Sequence, residues 1–235
     1  MKSDHYRDFF TAENLMGPNS IRLLDELLTV CPPAFTRTDK VLDLGCGTGL
    51  TSLFIARETG ATVYANDLWI PLEVNRDRFA AWNMQQQLIP VHEDANCLGF
   101  QKEMFSAVIS IDAYHYFGGK EDFFADKILP LLKPGGVALI AVPGMKNVYD
   151  GQSETLTSPW LGDEAYMFQS ALWWQKTIGT HEKIESVHTW EMEAFEQPWQ
   201  EWFATGHEYA LDDLQYYESI IKPYTGFVGM VIRKK

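Results

Sequence analysis

The segment Val41-Leu42-Asp43-Leu44-Gly45-Cys46-Gly47-Thr48-Gly49 constrains this chain more than any other stretch. A short apolar run enters three glycines spaced Gly-x-Gly-x-Gly. Thr48 to Glu58 then carries Leu50, Leu53, Phe54 and Ala56 at helical spacing. A strand that becomes a helix across so few residues needs backbone conformations that glycine takes readily. Such a turn also brings the free N–H groups of a helix start to the edge of a sheet, where a ligand can approach. A tight strand–helix turn without any ligand would use the same residues, so the neighbours must decide.

Those neighbours repeat the strand–helix pattern. Apolar runs at Val41–Leu44, Thr62–Ala65, Leu88–His92, Phe105–Ile111 and Val137–Val142 alternate with predicted helices at 48–58, 76–86 and 121–132. Strands that are apolar almost throughout lie in a sheet covered on both faces, which predicts an α/β, doubly wound, mostly parallel architecture. Before this region, Asn19 is placed to cap a helix whose Ile21, Leu23, Leu24, Leu27 and Leu28 share one face, with Cys31-Pro32-Pro33 ending it. After Pro143-Gly144, residues 145–165 read as a long loop, 169–178 as a helix and 184–192 as a strand. Two helical stretches follow across 193–222, then a last strand at 227–233, read as antiparallel. With 235 residues, 46% of them hydrophobic, the chain builds one sizeable core and is too short for two enzyme domains. The reading is therefore a single domain: an N-terminal helical cap (1–39), a ligand-binding core (40–144), a substrate-side lid of loop, strand and helices (145–226) and the final strand (227–235).

Two carboxylates sharpen the ligand. Asp67 lies 22 residues after Gly45, at the end of the second strand, where an acid can accept hydrogen bonds from two ribose hydroxyls. Asp94, ending the third strand, is placed to accept from an exocyclic adenine amine. A dinucleotide loop would carry its third glycine at the sixth position from Gly45, and that position is Leu50. Asp43 would also sit awkwardly beside a pyrophosphate but suits a ligand with an ammonium group. S-adenosylmethionine has an adenosine, an ammonium and no phosphate.

With Asp67, Asp94-Ala95, Asp112 and Leu132-Lys133-Pro134-Gly135-Gly136, the loop closely resembles the motifs of class I S-adenosylmethionine-dependent methyltransferases, over roughly residues 40–144. The small-molecule and cyclopropane-fatty-acid-synthase-like branch is the most similar. The resemblance implies a Rossmann-like seven-stranded sheet of order 3-2-1-4-5-7-6 with the seventh strand antiparallel. It implies S-adenosylmethionine as cofactor and S-adenosylhomocysteine as product. Asp43, Gly45, Cys46, Gly47, Thr48 and Gly49 would line the methionine end, Asp67 and Leu68 the ribose and adenine, and Asp94 and Ala95 the adenine edge. Asp112 would border the transferable methyl. Trp69, next to Leu68, would flank adenine or acceptor, or simply cap the sheet edge.

Asp112-Ala113-Tyr114-His115-Tyr116-Phe117 follows the fourth strand, on the edge where doubly wound sheets bind ligands. Asp112, Tyr114 and His115 form the expected catalytic set. His115 is the candidate general base because an unperturbed imidazole titrates near neutrality. Tyr6, Tyr114, His115, Tyr116 and Trp160 are the expected acceptor contacts. Met16, Gly17, Pro18 and Asn19 either close over the cofactor or form only a turn and cap. Trp160, Trp173, Trp174, Trp190, Trp199 and Trp202 load the last third with aromatic faces, which suit an amine acceptor or a core.

The remaining features act by exclusion. A formal charge of −13 with only short basic groups disfavours nucleic acid and stable membrane attachment. Cys31, Cys46 and Cys97 have neither disulfide nor zinc spacing, so no metal is expected. No apolar run reaches the about 20 residues of a membrane span, and the polar N-terminus is unlike a signal peptide, so cytoplasm is the expectation. Partners reduce to a small-molecule methyl acceptor, with N, O or S as the receiving atom, in a monomer or homodimer. Lipid modification of the cyclopropane-synthase type and a non-catalytic S-adenosylmethionine-binding protein are the alternatives, and an NAD-dependent oxidoreductase is disfavoured by Leu50.

Overall fold

A computed structural model describes residues 1–235. Seven strands form one sheet: β1 (Lys40–Leu44), β2 (Thr62–Asn66), β3 (Leu88–Val91), β4 (Phe105–Ile111), β5 (Leu132–Met145), β6 (Ile184–Glu191) and β7 (Thr225–Lys234). Their order is β3-β2-β1-β4-β5-β7-β6. The strands β1 to β5 pair in parallel, and β7 runs antiparallel to both β5 and β6. This is the Rossmann-like, doubly wound sheet expected, with the reversed strand in the expected place.

Alternation along β1 divides the core. Val41 packs with Leu53, Phe54 and Phe79 on the face covered by α1 (Ser20–Val30), α2 (Leu50–Thr59) and α3 (Leu72–Ala81). Leu42 and Leu44 point the other way, into a second cluster with Val108, Ile140 and Trp174 of α5 (Ala171–Ile178). Both faces are therefore dry, which is why the strands lack the polar alternation of a half-exposed sheet. The register Leu44↔Asn66 and Asn66↔Val91 brings the carboxyl ends of β1, β2 and β3 level, and Asp43↔Ile109 leaves β4 running a few residues further. Every acid that the sequence singles out beside the loop follows from this alignment.

Several elements differ from the sequence reading. Residues 145–165, expected as a loop, contain α4 (Ser153–Leu161) and a 3-10 turn at Gly162–Met167. The buried residues of α4 are the polar Ser153 and Thr157, which hydrogen-bond Ala165 O and Ser153 O, and Pro159 sits inside the helix. No apolar period marks such a segment. The helix expected over 121–132 becomes a π turn at Phe124–Ile128 and a 3-10 turn at Leu129–Leu131, since β5 already begins at Leu132. The helix expected over 76–86 is α3, shifted to Leu72–Ala81 behind Pro71. The two helical stretches expected across 193–222 are present as α6 (Glu196–Phe203) and α7 (Glu208–Tyr216). No helix is long and apolar enough to cross a membrane.

The chain's beginning is tied to this late region by one buried cation. Arg22 of α1 is 1% exposed. Its guanidinium donates to Glu201 of α6 at 2.7–3.2 Å, to Asp4 at 2.9 Å and to Ser3 at 3.0 Å. Asn19, the cap of α1, adds a bond from its side chain to Glu201 at 2.6 Å and one from its backbone N–H to Pro198 O at 3.1 Å. Because removing one partner of a buried ion pair strands the other, Arg22→Met should lower the unfolding free energy by about 3 kcal/mol in urea denaturation. A loss within the scatter of surface substitutions would show that Glu201 is adequately solvated without it.

Candidate active site

The glycine loop is held from both sides. Gly45 and Cys46 donate their backbone N–H groups to Asn66 O at 2.8 and 3.0 Å, locking the end of β1 to the end of β2. Gly45 has φ +74°, and a Cβ there would lie 2.4 Å from the Cβ of Ala113, so both backbone conformation and close approach require glycine. Asn75 of α3 donates to Gly47 O at 2.9 Å. Gly47 N in turn donates to Asp67 Oδ2 at 2.8 Å, while Trp69 N and Ile70 N donate to Asp67 Oδ1, each at 2.8 Å. Asp67 is thus an oriented carboxylate with acceptor capacity left for a ligand.

This loop walls a cavity of about 350 Å³, within the usual size of a small-ligand site. Gly45, Cys46, Gly47, Thr48, Asp67, Leu68, Trp69, Asp94, Ala95 and Asp112 all line it, and so do Asn14 to Pro18 of the N-terminal segment. No Lys, Arg or His does. A diphosphate would meet four acids here (Asp67, Glu93, Asp94 and Asp112) and no counter-charge, whereas an unphosphorylated nucleoside carrying positive charge is electrostatically matched. The residues therefore fit S-adenosylmethionine better than a dinucleotide. Asp94 accepts from Asn96 N and Nδ2, both at 2.8 Å, which shapes the loop beside Ala95.

Two residues expected along the methionine end stand outside the wall. Asp43 is buried behind the loop, accepting from Thr51 Oγ1 at 2.7 Å and Ser52 Oγ at 2.6 Å at the start of α2. Its Oδ1 has no partner, and burial pushes its carboxyl up to about 6. A direct contact with a ligand ammonium, as the sequence suggested, does not follow from this position. Gly49 is the N-cap of α2 at φ +87°, packed against Phe79 rather than facing the cavity.

A second cavity of about 150 Å³ adjoins the first and shares Met16, Gly17, Pro18, Asp112 and Tyr116 with it. Asp112 stands at the junction. Its N–H donates to Ala141 O at 2.8 Å and its φ is +56°, an uncommon value for a residue with a side chain. Gly17 leaves it room, since a Cβ there would lie 2.7 Å from Asp112 Oδ2. Burial, reinforced by the charge of Asp213, pushes the Asp112 carboxyl to about 7. Tyr116 is partly exposed and meets Trp69 edge-on at 5.0 Å.

The structure redistributes the expected catalytic set. His115 lines the second cavity, but burial holds its pKa down at about 3 and its Nδ1 has no partner. It is a neutral ring at physiological pH, and the near-neutral group is Asp112. Tyr114 lines neither cavity: it is 1% exposed, packed among Phe117, Phe123 and Trp174. Tyr6 is likewise a core residue, edge-on to Phe54 with its hydroxyl donating to Glu58, and does not reach the site. Both were expected to contact the acceptor, and both are taken up by packing instead. Trp160 does line the second cavity. Sequence reasoning missed Glu164, Phe168 and Asp213 there. Asp213 follows another acid on a helix and carries no sign of facing inward. Only the packing of α7 over the sheet edge turns it toward Trp160 and Trp202.

The sheet order, the reversed β7 and the glycine loop define the class I methyltransferase fold. Residues 41–136 match the family described as a methyltransferase domain. Methyltransferase GfsG of Streptomyces halstedii is 33% identical over 103 residues, 43% of this chain and 37% of that protein. Sterol 24-C-methyltransferase ERG6 of Saccharomyces cerevisiae is 31% identical over 153 residues, 63% of this chain and 38% of that protein. The chain thus spans well under half the length of these curated relatives. Among solved structures, geranyl diphosphate C-methyltransferase of Streptomyces coelicolor superposes with a TM-score of 0.69 at 15% identity, covering 92% of this chain and 78% of that one. A phosphoethanolamine N-methyltransferase of Haemonchus contortus reaches 0.68 at 18%, covering 94% and 54%. The cyclase SpnF has the same fold, at 0.69 and 17%, covering 91% and 80%.

The raised Asp112 pKa has a consequence for stability. An acid at about 7 in the folded chain and near 3.8 when unfolded keeps its proton in the native state while the unfolded state releases it. Stability is then lost as pH rises between those two values. Asp112→Asn removes this loss, and Asn tolerates positive φ. In urea unfolding at several pH values the variant should be more stable than the wild type above pH about 7, with the advantage gone near pH 3.8. A constant difference across that window would mean that Asp112 is not the titrating group.

Proposed function

We propose that this protein transfers a methyl group from S-adenosylmethionine to an N, O or S atom of a small molecule, releasing S-adenosylhomocysteine. The observation that carries this reading is the glycine-loop cavity: it joins a methyltransferase-domain sequence to an acid-lined wall without a single basic side chain. The bound cofactor supplies a methyl group made electrophilic by a sulfonium.

The chain's residues do the rest. Asp67, already oriented by three backbone N–H groups, accepts the ribose hydroxyls, and the Asp94-Ala95 turn faces the adenine edge. The Gly45–Thr48 backbone holds the methionine end, while Asp43 positions that loop through α2. Asn14 to Pro18 closes over the ligand and keeps water from the junction. Aligning acceptor and methyl supplies most of the acceleration, and Asp112, not His115, takes a proton where the acceptor must lose one. Residues 40–144 act as the cofactor core and 145–226 as the acceptor side.

Calorimetry should show S-adenosylmethionine and S-adenosylhomocysteine binding and no NAD binding. NAD binding without S-adenosylmethionine binding would overturn the assignment. In the same experiment Asp67→Ala should weaken cofactor binding by about 1–3 kcal/mol, the value of hydrogen bonds to a charged group.

A further inference from the structure

The second cavity has an uneven chemistry. Its walls include the aromatic side chains of Tyr116, Trp160, Phe168 and Trp199. Its acids are Asp112, Glu164 and Asp213, and no Lys or Arg lines it. The only nitrogen base is His115, held neutral by burial. Phosphate, diphosphate or carboxylate acceptors would find no counter-charge here.

Asp213 is fixed in place. Its Oδ1 accepts from Trp160 Nε1 at 2.9 Å and its Oδ2 from Trp202 Nε1 at 3.0 Å. These neutral donors orient the carboxylate without cancelling its charge. Asp112 and Asp213 also repel each other, and no protein cation separates them. A wall that combines carboxylates with aromatic side chains and carries no fixed positive charge is electrostatically matched to a cation.

We propose that this cavity binds a small alkylammonium, of about six to eight non-hydrogen atoms by comparison with cavities of known occupancy, between the aromatic faces and the Asp112–Asp213 pair. Its standing as the methyl-acceptor site rests on the methyltransferase reading, whereas its preference for cations rests on the wall alone. Aromatic faces stabilise the alkyl groups around the charge, and the carboxylates supply the opposite sign. Anions are repelled.

The test uses the full-length chain saturated with S-adenosylhomocysteine and follows tryptophan fluorescence, since Trp160 and Trp199 line the cavity. Three probes of one shape are titrated: choline, its uncharged analogue with carbon in place of the ammonium nitrogen, and the corresponding carboxylate. Choline should saturate at a concentration at least about tenfold lower than the uncharged analogue, and the carboxylate should not saturate. Asp213→Asn should weaken choline about tenfold, and the exposed Glu164→Gln severalfold, a second reading should the first variant fail to fold. Equal binding of choline and its uncharged analogue, tighter binding of the carboxylate, or choline binding unmoved in the folded variants would overturn the proposal. If S-adenosylhomocysteine binds but the probes are not discriminated, this inference alone fails. If the probes are discriminated but S-adenosylhomocysteine does not bind, the methyltransferase reading alone fails.

Discussion

The elements that border the site are tied together through the buried Arg22. Its guanidinium joins α1 to α6 and to the first residues of the chain, three regions far apart in sequence. Between them runs the Met16-Gly17-Pro18 strap, the segment shared by both cavities. Glu26, one helical turn further along α1, extends the tie by accepting from Trp190 Nε1 and from the backbone of Glu193 and Ala194. The parallel sheet would form its glycine turn without these bonds. Closure therefore depends on long-range polar bonds, whereas the floor of the site depends on strand register and dry packing.

Closure in turn sets the chemistry. A carboxylate at the mouth of an open sheet edge would titrate near its usual value, but enclosure beside Asp213 brings Asp112 close to neutrality. The same enclosure moves His115 the other way, because burial penalises the charged form of either group. A histidine and an aspartate three residues apart thus exchange the roles their unperturbed pKa values suggest. The acidity of the chain as a whole also acquires a local meaning: both cavities are lined by acids and neither by a basic side chain that carries charge. Fold alone would not settle the reaction, since a cyclase shares it.

Much of the framework was legible. The apolar runs at β1, β2, β4 and β7 are unbroken enough to read directly, and the glycines at 45, 47 and 49 mark the turn between β1 and α2. Asp67, Asp94 and Asp112 were each found from their place after a strand, and each lines the first cavity. What failed was of two kinds. Elements without an apolar period were missed, as with α4, whose buried face is Ser153 and Thr157. Aromatic residues near the loop were assigned to the ligand when packing had taken them, as with Tyr6 against Phe54 and Tyr114 against Trp174. A tyrosine serves a core and a binding wall equally well, so residue type could not separate the two.

The sequence by itself determined the doubly wound sheet, the glycine turn and the acids at the strand ends, because these follow from local pattern: a strand end, a positive φ, a carboxylate at a fixed distance along the chain. Tertiary structure alone decided which side chains meet across the sheet edge. Asp213, Glu164 and Phe168 come from a helix, a 3-10 turn and the residue just after it, 52 to 101 residues beyond Asp112. Their proximity is set by how α4 packs on the Gly162–Met167 turn and α6 on α7, which no local period encodes. The pKa values of Asp112 and His115 were decided there as well, since burial and a distant charge, not residue type, determine which of the two can hold a proton.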